Sequence, residues 1–217
     1  MDLQFVFLIV LGLVSLIYLI TLFFKPTIVQ YILKGCLIPL VFAVYLTGAK
    51  VILVPVILAL VFAWAGDILL IKISNVLCFK LGLASFLIGH ICYIIAMFGF
   101  NQGFNVPVLI ISAVIAAVLG FLLYRIIKPT QEMRIPVIAY ETIILIMALS
   151  AIQLFLRQQQ QDLLFGIFVL AGSISFVASD TSLAFVTFQK KPFYVFCMTT
   201  YIAAQLLITL GFCRVGG

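Results

Sequence analysis

The sequence contains very few charged residues. Only 8% of its 217 positions are Asp, Glu, Lys or Arg, whereas 66% are hydrophobic. Soluble proteins carry roughly 25% charged residues, so this chain cannot build the polar surface of a soluble domain of its size. A membrane-spanning helix needs about 20 apolar residues, and such helices with short connections would use up the whole chain. We therefore expect a single integral membrane domain over residues 1–217.

Motifs for metal or nucleophilic chemistry are also missing. His90 is the one histidine of the chain, which argues against a catalytic zinc site with its usual three protein ligands. No Gly-x-Ser-x-Gly motif or Gly-rich phosphate loop occurs. The five cysteines show no Cys-x-x-Cys spacing, and we interpret them as small buried hydrophobes. We expect neither a metal nor a cofactor.

The apolar residues form eight runs separated by short polar or Pro- and Gly-containing breaks. This pattern predicts an all-α, polytopic bundle of about eight transmembrane helices. The runs are Leu3–Phe24, Tyr31–Leu46, Val51–Ile71, Val76–Phe100, Val106–Ile127, Ile135–Leu156, Leu163–Phe188 and Phe193–Phe212.

The basic residues are distributed unevenly between the two ends of these runs. Single basic residues at the ends of spans are a topology signal, so we expect no nucleic-acid partner despite the net charge of +6. The odd-numbered connections and adjoining helix ends hold nine: Lys25, Lys34, Lys72, Lys80, Arg125, Lys128, Arg134, Lys190 and Lys191. The even-numbered connections and the C-terminus hold three: Lys50, Arg157 and Arg214. The positive-inside rule then places both termini outside the cytoplasm.

Two short segments suggest an internal repeat. Gly66-Asp67 ends the third run, and Ser179-Asp180 lies in the seventh. Their correspondence would fit a 4+4 arrangement of helices with halves at about residues 1–105 and 106–217.

Polar side chains inside the membrane are costly and usually mark function. Counted from the nearest break, most of them fall in the cytoplasmic half of the bilayer, and two lie nearer its middle. The first group comprises Lys34, Asp67, Tyr140, Glu141, Asp180 and Tyr201, and the second His90 and Gln205. Helical spacing places several of them on common faces, which predicts a shared pocket.

Structural roles are the alternative for some of these residues. Asp67 would then pair with Lys34 or Lys72 near the interface, and His90 would form an interhelical hydrogen bond. Glu141 lies about 100° around the helix from Tyr140, and we expect it to face Lys or Arg near the interface.

The ordered motifs resemble the lysoplasmalogenase (YhhN-like, transmembrane protein 86) family of eight-span membrane proteins. The resemblance covers most of the chain. It rests on Lys34 with Pro39, Gly66-Asp67 with Leu70, Phe79-x-x-Gly82-x-x-x-Phe86-x-x-x-His90-x-x-Tyr93, Pro136 with Tyr140, Gly172, Phe176, Ser179-Asp180 with Ala184, and Tyr201-x-x-x-Gln205.

This resemblance implies hydrolysis of the vinyl ether bond of lysoplasmalogens, yielding a fatty aldehyde and glycerophosphoethanolamine or glycerophosphocholine. One carboxyl group would protonate the substrate while an ionised partner stabilises the cation and activates water. We hypothesise that Asp67 and Asp180 form this pair, without assigning the acid. Candidate substrate-binding residues are Lys34, His90, Tyr93, Tyr140, Ser179, Tyr201 and Gln205.

Two other functional classes remain open from the sequence. Asp67, Asp180 and His90 would suit the proton path of a transporter of small solutes or lipids, and a structural membrane partner is the third option. The expected partners are a lysophospholipid substrate and membrane lipids, and the sequence does not define an oligomeric state. We expect a bacterial inner membrane location, or the endoplasmic reticulum in a eukaryote.

Overall fold

Eight α-helices follow one another along the chain. The structure is a computed structural model that describes residues 2–72, 75–100, 105–158 and 162–216, and this described part contains no strand. The all-α prediction with eight helices is therefore confirmed. The helices are α1 (Leu3–Thr21), α2 (Ile28–Gly48), α3 (Val54–Leu69), α4 (Val76–Phe98), α5 (Val106–Ile127), α6 (Arg134–Gln158), α7 (Leu163–Gln189) and α8 (Tyr194–Cys213).

Polar residues in the connections start many of these helices. The side chains of Thr27, Asn75, Asn105 and Asp162 each accept a hydrogen bond from a backbone N–H in the first turn of the following helix. Such N-caps satisfy donors that have no partner within the helix. The cap at Thr27 explains why α2 begins three residues before the apolar run that predicted it.

Helix α3 is shorter than its apolar run. Pro55 fits the first turn, and the hydroxyl of Tyr45 accepts the N–H of Leu53 at 2.8 Å, which fixes the start of the helix. The far end tightens into a 3₁₀ turn over Leu70–Lys72. With 16 residues, α3 is about 24 Å long at 1.5 Å per residue, less than the ~30 Å hydrocarbon core.

The other seven helices are long and apolar enough to cross a membrane. Large hydrophobic side chains such as Leu13, Ile110 and Phe121 are more than half exposed on the outer surface of the bundle. An apolar exterior of this kind suits lipid as the surrounding solvent. The chain is therefore an integral, multi-pass membrane protein.

Close helix pairs form the centre of the bundle. Helix α3 packs along α4 and α7 along α8, while α6 contacts both α4 and α7. Helix α2 joins the two halves through α3 and α8, and α5 lies at the periphery against α6 and α7. The two tight pairs occupy corresponding places in the predicted 4+4 repeat, which stays a prediction.

A small residue permits the close contact between α7 and α8. A methyl group added at Gly172 of α7 would lie 2.6 Å from Cγ1 of Ile208 and 3.0 Å from the carbonyl oxygen of Ala204 in α8. Small residues at such crossings let two membrane helices approach closely.

Candidate active site

A polar cavity of about 450 Å³ lies at one end of the bundle. Phe24 and Pro26 of the α1–α2 connection help to line it, as does Tyr194 at the start of α8. The cavity therefore lies at the end that carries the odd-numbered connections and the excess of basic residues. Its volume is in the range of pockets for small organic ligands. The polar or sulfur-bearing side chains in its wall are Tyr18, Gln30, Tyr31, Lys34, Asp67, Ser179, Asp180, Tyr194, Cys197, Met198 and Tyr201.

Asp67 projects into this cavity from the last turn of α3. One carboxylate oxygen lies 3.7 Å from Nζ of Lys34 in α2, and the other accepts a 2.7 Å hydrogen bond from the hydroxyl of Tyr201 in α8. Asp67 is 2% exposed and Lys34 6% exposed, so the ion pair is buried in the protein. Asp67 thus contacts Lys34, which is one of the two partners that the sequence predicted for it.

A second layer of polar groups supports Tyr201 from behind. Nε2 of Gln205 lies 3.5 Å from the Tyr201 hydroxyl, and the hydroxyl of Tyr93 donates to Oε1 of Gln205 at 2.8 Å. Tyr201 and Gln205 are four positions apart on one helix face, as the spacing predicted. Gln205 and Tyr93 do not line the cavity, so they reach Asp67 only through Tyr201.

Asp180 reaches the same cavity from the middle of α7, about 14 Å from the end of that helix at 1.5 Å per residue. Its Oδ2 accepts a 2.5 Å hydrogen bond from the hydroxyl of Tyr140 in α6. Within the part of the chain that the structure describes, no basic side chain forms an ion pair with Asp180. The two aspartates thus share a cavity but have different partners.

His90 contacts Tyr140, the hydrogen-bond partner of Asp180. It lines neither the cavity nor a second, narrow pocket that Asp180 lines together with Phe79, Leu83 and other apolar residues. Its ring contacts Phe176 and Tyr140 edge-on, with centroid distances of 4.8 and 5.5 Å. The ring is 2% exposed, and its Nδ1 has no hydrogen-bond partner among the described residues. A direct substrate contact for His90, Tyr93, Tyr140 or Gln205 stays a prediction.

The cavity wall also contains residues outside the predicted set. Cys197 of α8 lines the cavity together with both aspartates, and its Sγ lies 3.7 Å from Oγ of Ser179. Helical spacing could have found this residue, because Tyr194, Cys197 and Tyr201 follow i, i+3 and i+7 on one face. Tyr18 of α1 also lines the cavity, on the helix face that holds Leu11 and Ser15.

The described residues offer no grouping of three or more His, Cys, Asp or Glu side chains that could hold a metal ion. What the cavity provides is one carboxylate beside a cation, one carboxyl beside a phenol, and further hydroxyls. This set of groups is suited to transferring protons and to stabilising a positively charged intermediate.

Comparison with protein families agrees with the motifs. The model of the YhhN family matches residues 20–212, which is nearly the whole chain. Comparison with curated proteins and with solved structures gave no match.

Proposed function

The chain belongs to the YhhN family, the family of lysoplasmalogenases, and on that basis we propose that it hydrolyses the vinyl ether bond of lysoplasmalogens. The products would be a fatty aldehyde and glycerophosphoethanolamine or glycerophosphocholine. The observation that carries the proposal is the pair of aspartates, Asp67 and Asp180, which face one cavity in different electrostatic surroundings.

The reaction needs a proton donor and an anion. A vinyl ether is protonated on carbon, which produces an oxocarbenium ion. Water adds to this cation and loses a proton, and the resulting hemiacetal collapses to an aldehyde and an alcohol. Two carboxyl groups in opposite protonation states supply both functions, as in glycosidases.

Asp180 is the better candidate for the acid. It has no cationic partner in the described chain, and a carboxyl group in a low-dielectric site without such a partner favours its neutral form. The phenol of Tyr140 holds Oδ2 in place. The other oxygen can then carry the proton to the substrate carbon.

Asp67 is the better candidate for the anion. Both aspartates accept a hydrogen bond from a phenol, so the ammonium group of Lys34 is what favours the ionised form at Asp67 rather than at Asp180. An ionised Asp67 would stabilise the oxocarbenium ion and accept the proton of the attacking water. Lys34 carries three N–H donors, so it can contact a lipid phosphate while it remains beside Asp67.

The proposed orientation follows the basic residues. The cavity opens at the end that carries nine of the twelve basic residues. The positive-inside rule would place this end, and the active site, in the cytoplasmic half of the membrane with both termini on the other side.

Aldehyde release by the purified protein tests the proposal. The substrate is a lysoplasmalogen, and the saturated 1-alkyl ether analogue is the matched control because it lacks only the double bond. We expect aldehyde from the vinyl ether alone, also in the presence of a metal chelator. Absence of aldehyde from folded protein, across head groups and pH values, would reject the proposal and favour transport.

A further inference from the structure

Asp180 lines two separate spaces in the protein. On one side is the polar cavity, and on the other is a narrow pocket of about 60 Å³. Helices α4, α5, α6 and α7 enclose the narrow pocket. Most of its lining is apolar, with Phe79, Leu83, Ile127 and Phe188 among the residues. A single substrate that contacts Asp180 could therefore have its polar part on one side and an apolar part on the other.

A groove of about 440 Å³ lies beyond the narrow pocket, between α5 and α6 on the outer surface of the bundle. Small residues open it, since α5 contributes Ala113, Ala116, Ala117 and Gly120 to its wall. On α5 the groove extends from Ala113 to Tyr124, which is about 16 Å at 1.5 Å per residue. One leaflet of a ~30 Å hydrocarbon core has nearly this depth.

Two side chains of α6 separate the groove from the narrow pocket. Glu141 and Leu145 line both spaces, so they form the partition. Leu145 has room there because its neighbour on α5 is Gly120, where an added methyl group would lie only 3.2 Å from Cδ1 of Leu145. A rotation of these two side chains would join the pocket to the groove. Such rotations are fast for side chains that are not tightly packed.

From this arrangement of three adjacent spaces we propose that the alkenyl chain of the substrate leaves the polar cavity beside Asp180, passes through the narrow pocket and lies in the α5–α6 groove. This inference rests on the proposed function. The head group would remain near Lys34 in the polar cavity. The vinyl ether bond, which joins head and chain, would then lie at Asp180. The chain would run along one leaflet, in the direction it already has in the bilayer.

Adjacent residues of α5 provide a matched test. Ala117 lines the groove, whereas Val118 is 53% exposed and lines none of the three spaces. Ala117→Phe should lower kcat/KM for a hexadecenyl lysoplasmalogen about tenfold, the equivalent of losing contact with roughly two methylene groups. It should leave turnover of a butenyl analogue unchanged, and Val118→Phe should affect neither substrate. Equal effects of Ala117→Phe on both substrates, or no effect on either, would overturn the proposal.

Photo-crosslinking gives a readout that does not depend on turnover. The probe is a 1-alkyl ether lysolipid with a diazirine at the chain end, which the enzyme cannot cleave. We expect crosslinks on the groove face of α5 and α6, and their loss in Ala117→Phe but not in Val118→Phe. Crosslinks spread evenly over the outer surface would show only bulk lipid contact and overturn the chain path. If the unmodified protein releases no aldehyde from either substrate, the proposed function fails, and the crosslinks alone decide on the path.

Discussion

The hydroxyl of Tyr201 donates a 2.7 Å hydrogen bond to Oδ2 of Asp67, across 134 positions of sequence. This contact connects α8 to α3 at the cavity wall. Lys34 approaches the other oxygen of the same carboxylate. Both oxygens of Asp67 are therefore held by side chains from two further helices, and the carboxylate is oriented before any substrate enters.

Tyr201→Phe should reduce kcat/KM by about tenfold to a hundredfold, because a hydrogen bond to a charged group contributes about 1.5–3 kcal/mol. Gln205→Leu should have a smaller effect, since Gln205 reaches Asp67 only through Tyr201. Steady-state aldehyde release by both variants measures the difference. A larger loss in Gln205→Leu than in Tyr201→Phe would contradict the view that Tyr201 holds Asp67 and that Gln205 acts only by supporting Tyr201.

Lys34→Met should destabilise the protein by about 3 kcal/mol or more, because it leaves a buried carboxylate without its cation. The double variant Lys34→Met, Asp67→Asn should recover most of this stability, since it removes the unpaired charge as well. It should not recover aldehyde release. Thermal unfolding in detergent, combined with the activity assay, tests both statements. An unfolding temperature of the double variant below that of Lys34→Met would contradict the buried ion pair.

Gly172→Ala should lower the unfolding temperature clearly. The added methyl group meets the backbone of α8 at 3.0 Å, so the two helices must move apart. Gly12→Ala is the matched control, because nothing lies within 4 Å of the added carbon and alanine is the better helix former. It should leave the unfolding temperature unchanged or raise it. Equal destabilisation by the two variants would mean that the α7–α8 crossing is not a tight contact.

Asp162 connects the start of α7 to the residue after α8. Its carboxylate caps the helix through the N–H of Phe165 at 3.1 Å and accepts from Nε of Arg214 at 3.0 and 2.9 Å. Partial burial acts to raise the pKa of Asp162, but the hydrogen bonds from Arg214 and the backbone outweigh it and hold that pKa below its usual value. The stability gained is therefore fully present above about pH 4, the pKa in unfolded chains, and is lost as the pH falls through the folded-state pKa.

Two substitutions separate these roles of Asp162 at neutral pH. Asp162→Ala removes cap and ion pair and should cost about 1 kcal/mol or slightly more. Asp162→Asn keeps a capping oxygen and should cost less. Unfolding temperatures measured at decreasing pH should converge for the unmodified protein and Asp162→Asn. A gap between these two proteins that widens towards acid would contradict a lowered pKa of Asp162 in the folded state.

The number of helices could be predicted because each apolar run ends at a residue that caps or breaks a helix. The depth of polar residues along the runs also placed Lys34, Asp67, Tyr140, Asp180 and Tyr201 in one layer. All of these except Tyr140 line the cavity, and Tyr140 donates a hydrogen bond to Asp180. The length of α3 could not be predicted, because the hydroxyl of Tyr45 from another helix decides where it begins.

Periodicity alone does not distinguish a side chain that faces a cavity from one that packs behind it. His90, Tyr93 and Gln205 have the same helical spacing as the cavity residues, yet the structure places them in the second layer. The difference is one of depth along the helix, since Gln205 follows Tyr201 and His90 follows Phe86 by one turn on the same helix face. A single sequence carries little information on how deep between the helices a cavity extends.

Aldehyde release by Asp67→Asn and Asp180→Asn tests the central claim most directly. Each substitution keeps the size of the side chain and removes its ability to exchange a proton. Asp180→Asn should keep the unfolding temperature, whereas Asp67→Asn should lower it because the buried ammonium group of Lys34 loses its carboxylate. An unchanged elution profile in detergent verifies that each variant is folded under the conditions of the assay. The two-aspartate mechanism predicts that the unmodified protein releases aldehyde from the lysoplasmalogen and that each variant loses this turnover. Near-normal turnover in both single variants would contradict it.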